Sequence, residues 1–231
     1  SPGQFPELAP EQPFFVIGDI HGRFDLLKKA MADLDPDLPI ICVGDYVDRG
    51  EESADVLRLL QACDDVHCLM GNHEQMLLGF IVKPDTYGPR WLRYGGLQTL
   101  ASFGVSGLTD TSHGESLKRG RDELVAAMGS DLIAWLGDLP HSYQSGNVAV
   151  VHAAANPRIP IEDQKASDLM WGHPDFRRVR RDDGNWVIHG HTIVDAPLVE
   201  NGVISLDTGA YATDRLTIAR VESGKVSFHT A

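Results

Sequence analysis

The sequence predicts an α/β fold carrying a mostly helical insertion, and two observations predict it. Short apolar runs alternate with stretches of helical periodicity. Three of the early apolar runs also end in Gly followed by Asp or Asn. In open α/β sheets, loops converge at the carboxyl ends of strands and bind ligands there, so the repetition marks one edge of the fold as its working edge.

In chain order, residues 1–12 hold Pro2, Pro6 and Pro10 with little apolar patterning and are expected to form a loose leader, followed by one catalytic domain over 13–231. Phe14-Phe15-Val16-Ile17 reads as a buried strand ending at Gly18-Asp19, and residues 24–34 space their apolar side chains as a helix. A second strand over 39–43 stops at Gly44-Asp45 and is followed by a helix over 52–62. A third, over 66–70, stops at Gly71-Asn72 and again runs into a helical stretch. Residues 84–140 differ: Trp91, Leu92, Leu97, Leu100 and Phe103 suggest a helix, and 115–138 one or two more, forming an insertion expected to cover one side of the site. Strands resume at 148–151, 186–188 and 203–206, and 215–229 reads as a hairpin turning at Ser223-Gly224.

Composition narrows the function classes. Thirty-three acidic residues against 20 basic ones leave a net charge of −13, which argues against nucleic acid or anionic membrane as a partner. No apolar run approaches the roughly 18 residues of a membrane span. Cys42, Cys63 and Cys68 have no paired spacing, so no disulfide scaffold is expected and a cytoplasmic location is the default. Oligomeric state is not legible.

The chemistry sits in five segments. In Gly18-Asp19-Ile20-His21-Gly22, Asp19 and His21 lie two apart in extended chain, so a carboxylate and an imidazole can face one divalent ion. Alone, this pentad reads equally as a polar turn. Gly44-Asp45-Tyr46-Val47-Asp48-Arg49-Gly50 adds two carboxylates and an arginine whose fork suits phosphate oxygens. Gly71-Asn72-His73-Glu74 offers an amide oxygen for a metal and a histidine as a candidate proton donor. His152 and His191 each follow a buried strand; either by itself would read as structural, but both together with three other such sites read as ligands.

These segments, in this order, resemble the signature of the calcineurin-like metallophosphoesterases. Gly44–Gly50 and Gly71–Glu74 are similar to the phosphoprotein phosphatase branch, in particular its bacterial and phage Ser/Thr phosphatases. The resemblance implies two mixed β-sheets sandwiched between helices, with two divalent metals at one sheet edge: Mn first, Fe or Zn as alternatives. It implies that Asp19, His21 and Asp45 hold one metal, and that Asp45 bridges to a second held by Asn72, His152 and His191. Asn72 would also contact substrate. His73 would be the general acid, oriented by Asp48, with Arg49 on the phosphoryl oxygens and a metal-activated hydroxide attacking phosphorus in line. Relatives often carry a second arginine two residues after a Trp; here that position is His173, so His173, Arg177 or Arg178 are the candidates for the second arm. Asp207 is either a partner of a ligating histidine or a turn residue. The implied substrate is a phosphorylated protein, on Ser/Thr with Tyr as an additional target. A dinucleoside polyphosphate is the enzymatic alternative, and a catalytically silent phosphate-binding protein is the third reading.

Overall fold

β1 (Phe14–Ile17) is apolar and buried at every position because both of its faces are covered. Phe14 and Val16 point between two sheets, in one cluster with Val148, Val150, Ile188 and Ile204, while Phe15 and Ile17 join a helical layer on the other side. The structure, a computed structural model, describes residues 3–231. Its first sheet runs in the order β10-β9-β1-β2-β3, with β2 (Ile40–Cys42), β3 (Val66–Cys68), β9 (Thr217–Glu222) and β10 (Lys225–Thr230). β1, β2 and β3 are parallel, and β9 closes on β1 antiparallel with Phe14 opposite Val221. The second sheet runs β4-β5-β6-β8-β7, comprising β4 (Ser142–Ser145), β5 (Val148–Val151), β6 (Trp186–His189), β7 (Leu198–Glu200) and β8 (Val203–Ser205). β5, β6 and β8 are parallel, with β4 and β7 as antiparallel edges.

Helices complete four layers, the arrangement implied by the family resemblance. α1 (Phe24–Ala32), α2 (Ser53–Ala62) and α3 (Asn72–Val82) bury Leu27, Leu57, Leu60, Leu77 and Phe80 on the outer face of the first sheet. The insertion adds α4 (Pro84–Trp91), α5 (Leu97–Ser102), α6 (Glu115–Met128) and α7 (Ser130–Gly137) to that same core, with α4 against α3 and α6, and α5 against α2. On the second sheet, α8 (Ala166–Trp171) sets Leu169 on Ala149, Val151 and Val187. A short α9 (Ala210–Thr213) follows β8. No helix among the described residues is long and apolar enough to cross a membrane.

β4, β7 and α8 have no counterpart in the sequence reading. β4 is Ser-Tyr-Gln-Ser with a largely solvent-facing pattern and β7 is exposed throughout; an edge strand is held by its ladder and needs no apolar run.

The leader is the larger correction. Residues 1 and 2 lie outside the described residues, but the rest of the segment expected to be loose is tied down. Phe5 meets the Trp186 ring edge-on at 5.1 Å, and Leu8 is buried. The Ala9 N–H donates to Asn147 Oδ1 at 2.7 Å, and the Asn147 amide donates to the Glu7 carbonyl at 2.9 Å. The Gly224 N–H, in the β9–β10 turn, donates to the Leu8 carbonyl at 2.8 Å. Its prolines keep the segment out of helix and ladder, and that is why its anchors carry no periodic signal. Deleting residues 1–10 is therefore expected to lower the melting temperature by roughly 5 °C or more, since loss of a buried leucine costs about 2–5 kcal/mol and each kcal/mol moves a domain of this size by about 2–4 °C. An unchanged melting point in scanning calorimetry would show that the leader contributes nothing.

Candidate metal centre

Each of the six parallel strands delivers one polar residue to a single edge. Asp19 follows β1, Asp45 follows β2 and Asn72 opens α3 after β3; His152, His191 and Asp207 follow β5, β6 and β8. All six lie at the cleft or in contact with residues that line it. The two facing sheets thereby bring together residues far apart in sequence.

Two groups of candidate ligand atoms result, each with its atoms within 4.8 Å of one another: His21, Asp45 and His73, and Asp45, His152 and His191. Asp45 is common to both. His21 Nδ1 donates to the Val47 carbonyl at 2.7 Å, and His152 Nδ1 donates to the Val43 carbonyl at 3.0 Å. A carbonyl can only accept, so the neutral rings are left with bare Nε2 atoms. Those atoms face the two oxygens of Asp45, at 3.4 Å from His21 and 3.3 Å from His152. Asn72 Oδ1 stands 2.9 Å from His152 Nε2 and 3.2 Å from His191 Nδ1; turned over, the amide could instead donate to both histidines and to Asp45. Lone pairs converging from carboxylate, amide and imidazole fit a cation in each group.

The electrostatics agree. Asp19 is pushed well above the usual carboxylate range by burial first, then by Asp207 and Asp45. Burial opposes charge on His21 too, but the hydrogen bond and charge of Asp45 outweigh it and lift the imidazole to about 9. Asp45 itself, despite burial, is held well below the carboxylate range by His152 and His73. The protein groups on their own draw in positive charge, which divalent ions supply at higher density than protons.

Asp19 stands beside Asp45, whose carboxylate is, after burial and Asp207, one cause of its raised pKa. It belongs to neither group of converging atoms; its carboxylate accepts the His191 N–H at 3.1 and 3.2 Å and lies against Gly190, where a Cβ would come within 2.0 Å of Oδ1. His73 stands beside His21 and Asp45 instead. Asp207 uses Oδ1 to accept the Gly209 N–H at 2.9 Å, a turn role, while lining the cleft. His189 is fixed away from the ligands, with Nδ1 on the Gly190 carbonyl and Nε2 on Ser205 Oγ at 2.6 Å.

The loops that hold these groups are strained. His21, Asp45, Asp48, Arg49 and His191 all have left-handed φ, between 44° and 75°, a conformation that costs of order 1–3 kcal/mol at a non-glycine residue. Glu74, fully buried, offsets this for one loop: its carboxylate accepts the N–H groups of Asp45 (2.6 Å), Tyr46 (2.9 Å), Val47 (3.3 Å) and Gly71 (3.1 Å). Asp48 is equally enclosed. Its carboxylate accepts from His73 Nδ1 at 2.6 Å, Thr99 Oγ1 at 2.7 Å and Trp91 Nε1 at 2.9 and 3.0 Å. Trp91 and Thr99 come from the insertion. Sequence reading placed Trp91 on an apolar helix face and gave Thr99 and Glu74 no role. Nothing local marks Trp91 or Thr99, because their partner lies more than 40 positions away in the chain; Glu74 signalled itself only as a carboxylate at the head of an otherwise apolar helix.

The open cleft above the ligands has a volume of about 340 Å³. Arg49 reaches into it between the rings of Tyr94 (5.8 Å) and Tyr211 (5.7 Å). The chain kinks at Gly95 (φ 104°), whose carbonyl accepts the Arg49 N–H at 3.3 Å and where a Cβ would sit 2.6 Å from that nitrogen. His173 and Arg177 do not line this cleft. His173 Nδ1 accepts the Asp175 N–H at 3.1 Å within its own loop, and Arg177 and Arg178 line a separate cavity of about 220 Å³ with Leu198 and Glu200. A second arginine, Arg90 of α4, does line it.

Two facing mixed sheets, paired histidine–carboxylate groups sharing one aspartate, and an arginine over them define a metal-dependent phosphoesterase. The calcineurin-like phosphoesterase family model matches residues 12–195, and the chain belongs to that family, whose members use divalent metal ions. The chain is 28% identical over 223 residues to serine/threonine-protein phosphatase 2 of Escherichia coli, covering 90% of this chain and 92% of that one. It is 26% identical over 231 residues to the asymmetrical bis(5'-nucleosyl)-tetraphosphatase PrpE of Bacillus mycoides, covering 87% of each. In fold it is similar to the crystal structure of a candidate diadenosine tetraphosphatase, with a TM-score of 0.68, 20% identity and coverage of 96% and 94%.

If the converging atoms hold metal, chelation is expected to lower the melting temperature and added Mn²⁺ to restore it, with about 2.7 kcal/mol gained at a hundredfold excess over Kd. Asp45→Asn, which removes the charge common to both groups, is expected to abolish that shift. A full Mn²⁺ response in the variant would remove Asp45 from the centre.

Proposed function

We propose that the protein is a two-metal phosphomonoesterase acting on phosphorylated Ser/Thr residues of proteins. The observation that carries this reading is the buried Asp48–His73 pair opening on the cleft, 2.6 Å between Oδ2 and Nδ1. An alkoxide leaving from Ser or Thr is strongly basic and needs a positioned proton donor, whereas the phosphate anion released from a polyphosphate does not.

Asp19, His21, Asp45, Asn72, His152 and His191 are the residues that would hold two divalent ions; their mixed nitrogen and oxygen donors suit Mn, Fe or Zn, and Mn is the first choice for reconstitution. Once bound, such ions supply Lewis acidity and a water nucleophile active at neutral pH. Arg49 offers paired N–H donors to the phosphoryl oxygens. Asp48, hydrogen-bonded by Trp91 Nε1 and Thr99 Oγ1, accepts a hydrogen bond from His73 Nδ1, which leaves Nε2 as the ring nitrogen that can carry a proton toward the leaving oxygen. The same carboxylate stabilises the imidazolium before transfer, and Nε2 then gives its proton to the departing alkoxide.

A second reading, hydrolysis of a dinucleoside polyphosphate, is favoured by the aromatic cleft wall. Trp171, Tyr94 and Tyr211 surround the cleft. Their rings, however, already carry the guanidinium groups of Arg49 and Arg90, and this supports the protein substrate. Phosphate release from a phosphothreonine peptide by the Mn-reconstituted protein is expected to exceed turnover of diadenosine tetraphosphate; the reverse order would overturn the substrate and leave the metal centre standing.

His73→Ala is expected to keep its full metal content by elemental analysis. It should lose about 10²–10⁴-fold in turnover on the phosphopeptide and far less on p-nitrophenyl phosphate, whose leaving group hardly needs a proton. Loss of a metal ion, or equal losses on both substrates, would make His73 a ligand and not the acid.

A further inference from the structure

We propose that Arg90, carried by the insertion helix α4, is the second phosphate-oxygen clamp of this site, sharing the ring of Tyr94 with Arg49 as a common support. The inference rests on the phosphomonoesterase reading above. A phosphoryl dianion presents three non-bridging oxygens, and one arginine fork grips at most two of them. The position where a second arginine was sought holds His173, turned into its own loop by the Asp175 N–H, and Arg177 faces another cavity.

Arg90 meets the requirement from a different element. It lines the same cleft as Arg49, Asn72 and His73. Its guanidinium lies 4.8 Å from the Trp171 ring centroid and 5.6 Å from that of Tyr94, while the Arg49 guanidinium lies 5.8 Å from the same Tyr94 ring. Stacking on ring faces holds a guanidinium plane without using its in-plane N–H groups. Among the described residues the Arg90 guanidinium makes no hydrogen bond and no ion pair, so its donors are free for an anion. The backbone beneath it is fixed: the next residue, Trp91, is fully buried and donates to Asp48. Four residues on, the Gly95 kink fixes the Arg49 backbone. One short stretch, 90–95, thus positions the acid's carboxylate partner, one clamp arginine and the support of the other. The insertion is in this view a component of the phosphate site and not only a cover for it.

The test is binding of inorganic phosphate to the Mn-loaded protein by isothermal titration, with KM and kcat for p-nitrophenyl phosphate measured alongside. Arg90→Ala is expected to weaken phosphate about tenfold or more, in line with the loss of one exposed charge-assisted contact, and to raise KM more than it lowers kcat. Arg90→Lys, which keeps the charge but not the fork, is expected to fall between. Arg119→Ala, which removes another surface arginine of the insertion, serves as control and is expected to bind as wild type. Arg90→Ala within twofold of wild type in phosphate affinity, or a loss matched by Arg119→Ala, overturns the proposal. Turnover is not needed for the binding readout. A protein that hydrolyses no phosphomonoester, yet binds phosphate in an Arg90-dependent way, overturns the proposed reaction and supports the clamp.

Discussion

The carboxylate of Asp45 is the constraint on which the rest of the site depends. It is almost wholly buried, faces bare imidazole nitrogens from both sheets at 3.3 and 3.4 Å, and accepts the His73 N–H at 3.1 Å. A carboxylate so enclosed is costly unless positive charge meets it. His21 from one sheet and His152 from the other meet it at a single point on the seam between the sheets, where a bound cation would supply that charge. The apolar seam below, from Val16 and Ile41 to Val150 and Ile188, holds the two ligand sets at a fixed separation.

Around this point the backbone is bent against its preference, and the compensation comes from groups that touch no substrate. Glu74 gathers four N–H groups of the Asp45 loop and the α3 entry, while the Asp45 carbonyl accepts from Ile20 and His21 at 3.1 and 2.8 Å. The loops after β1 and β2 are therefore one mechanical unit. The insertion joins it through Trp91 and Thr99, so helices that in sequence look like a lid are bonded to the acid's carboxylate partner.

Much of this was legible before the fold was known, for a physical reason. A buried strand that ends in Gly-Asp or Gly-Asn announces both its own end and a polar group at the sheet edge, and Asp19, Asp45 and Asn72 all follow that rule. His152 and His191 obeyed it more weakly, and needed the company of the others. The misses share a cause as well. Three of the four N–H groups on Glu74, the indole on Asp48 and the Leu8 anchor are contacts made by ordinary residues across long sequence separations, which no local pattern encodes. His173 and Arg177 were sought by analogy of position, and the turn capped at Asp175 carries both away from the cleft. Arg90 sits on a helix whose period says only that this face meets solvent.

The pairing of β1 with β9 carries a consequence for how the chain is made. β1 is made about 200 residues before β9, which closes one of its two edges and whose first residue is Thr217. Asp19, Asp45 and Asn72 are all synthesised long before that edge can be covered. During elongation this wholly apolar strand presents an open hydrogen-bonding edge, the kind of surface that pairs with other chains. A chain ending between His191 and Thr217 would keep every candidate ligand yet leave the β1 edge open, so β9 and β10 guard solubility more than chemistry.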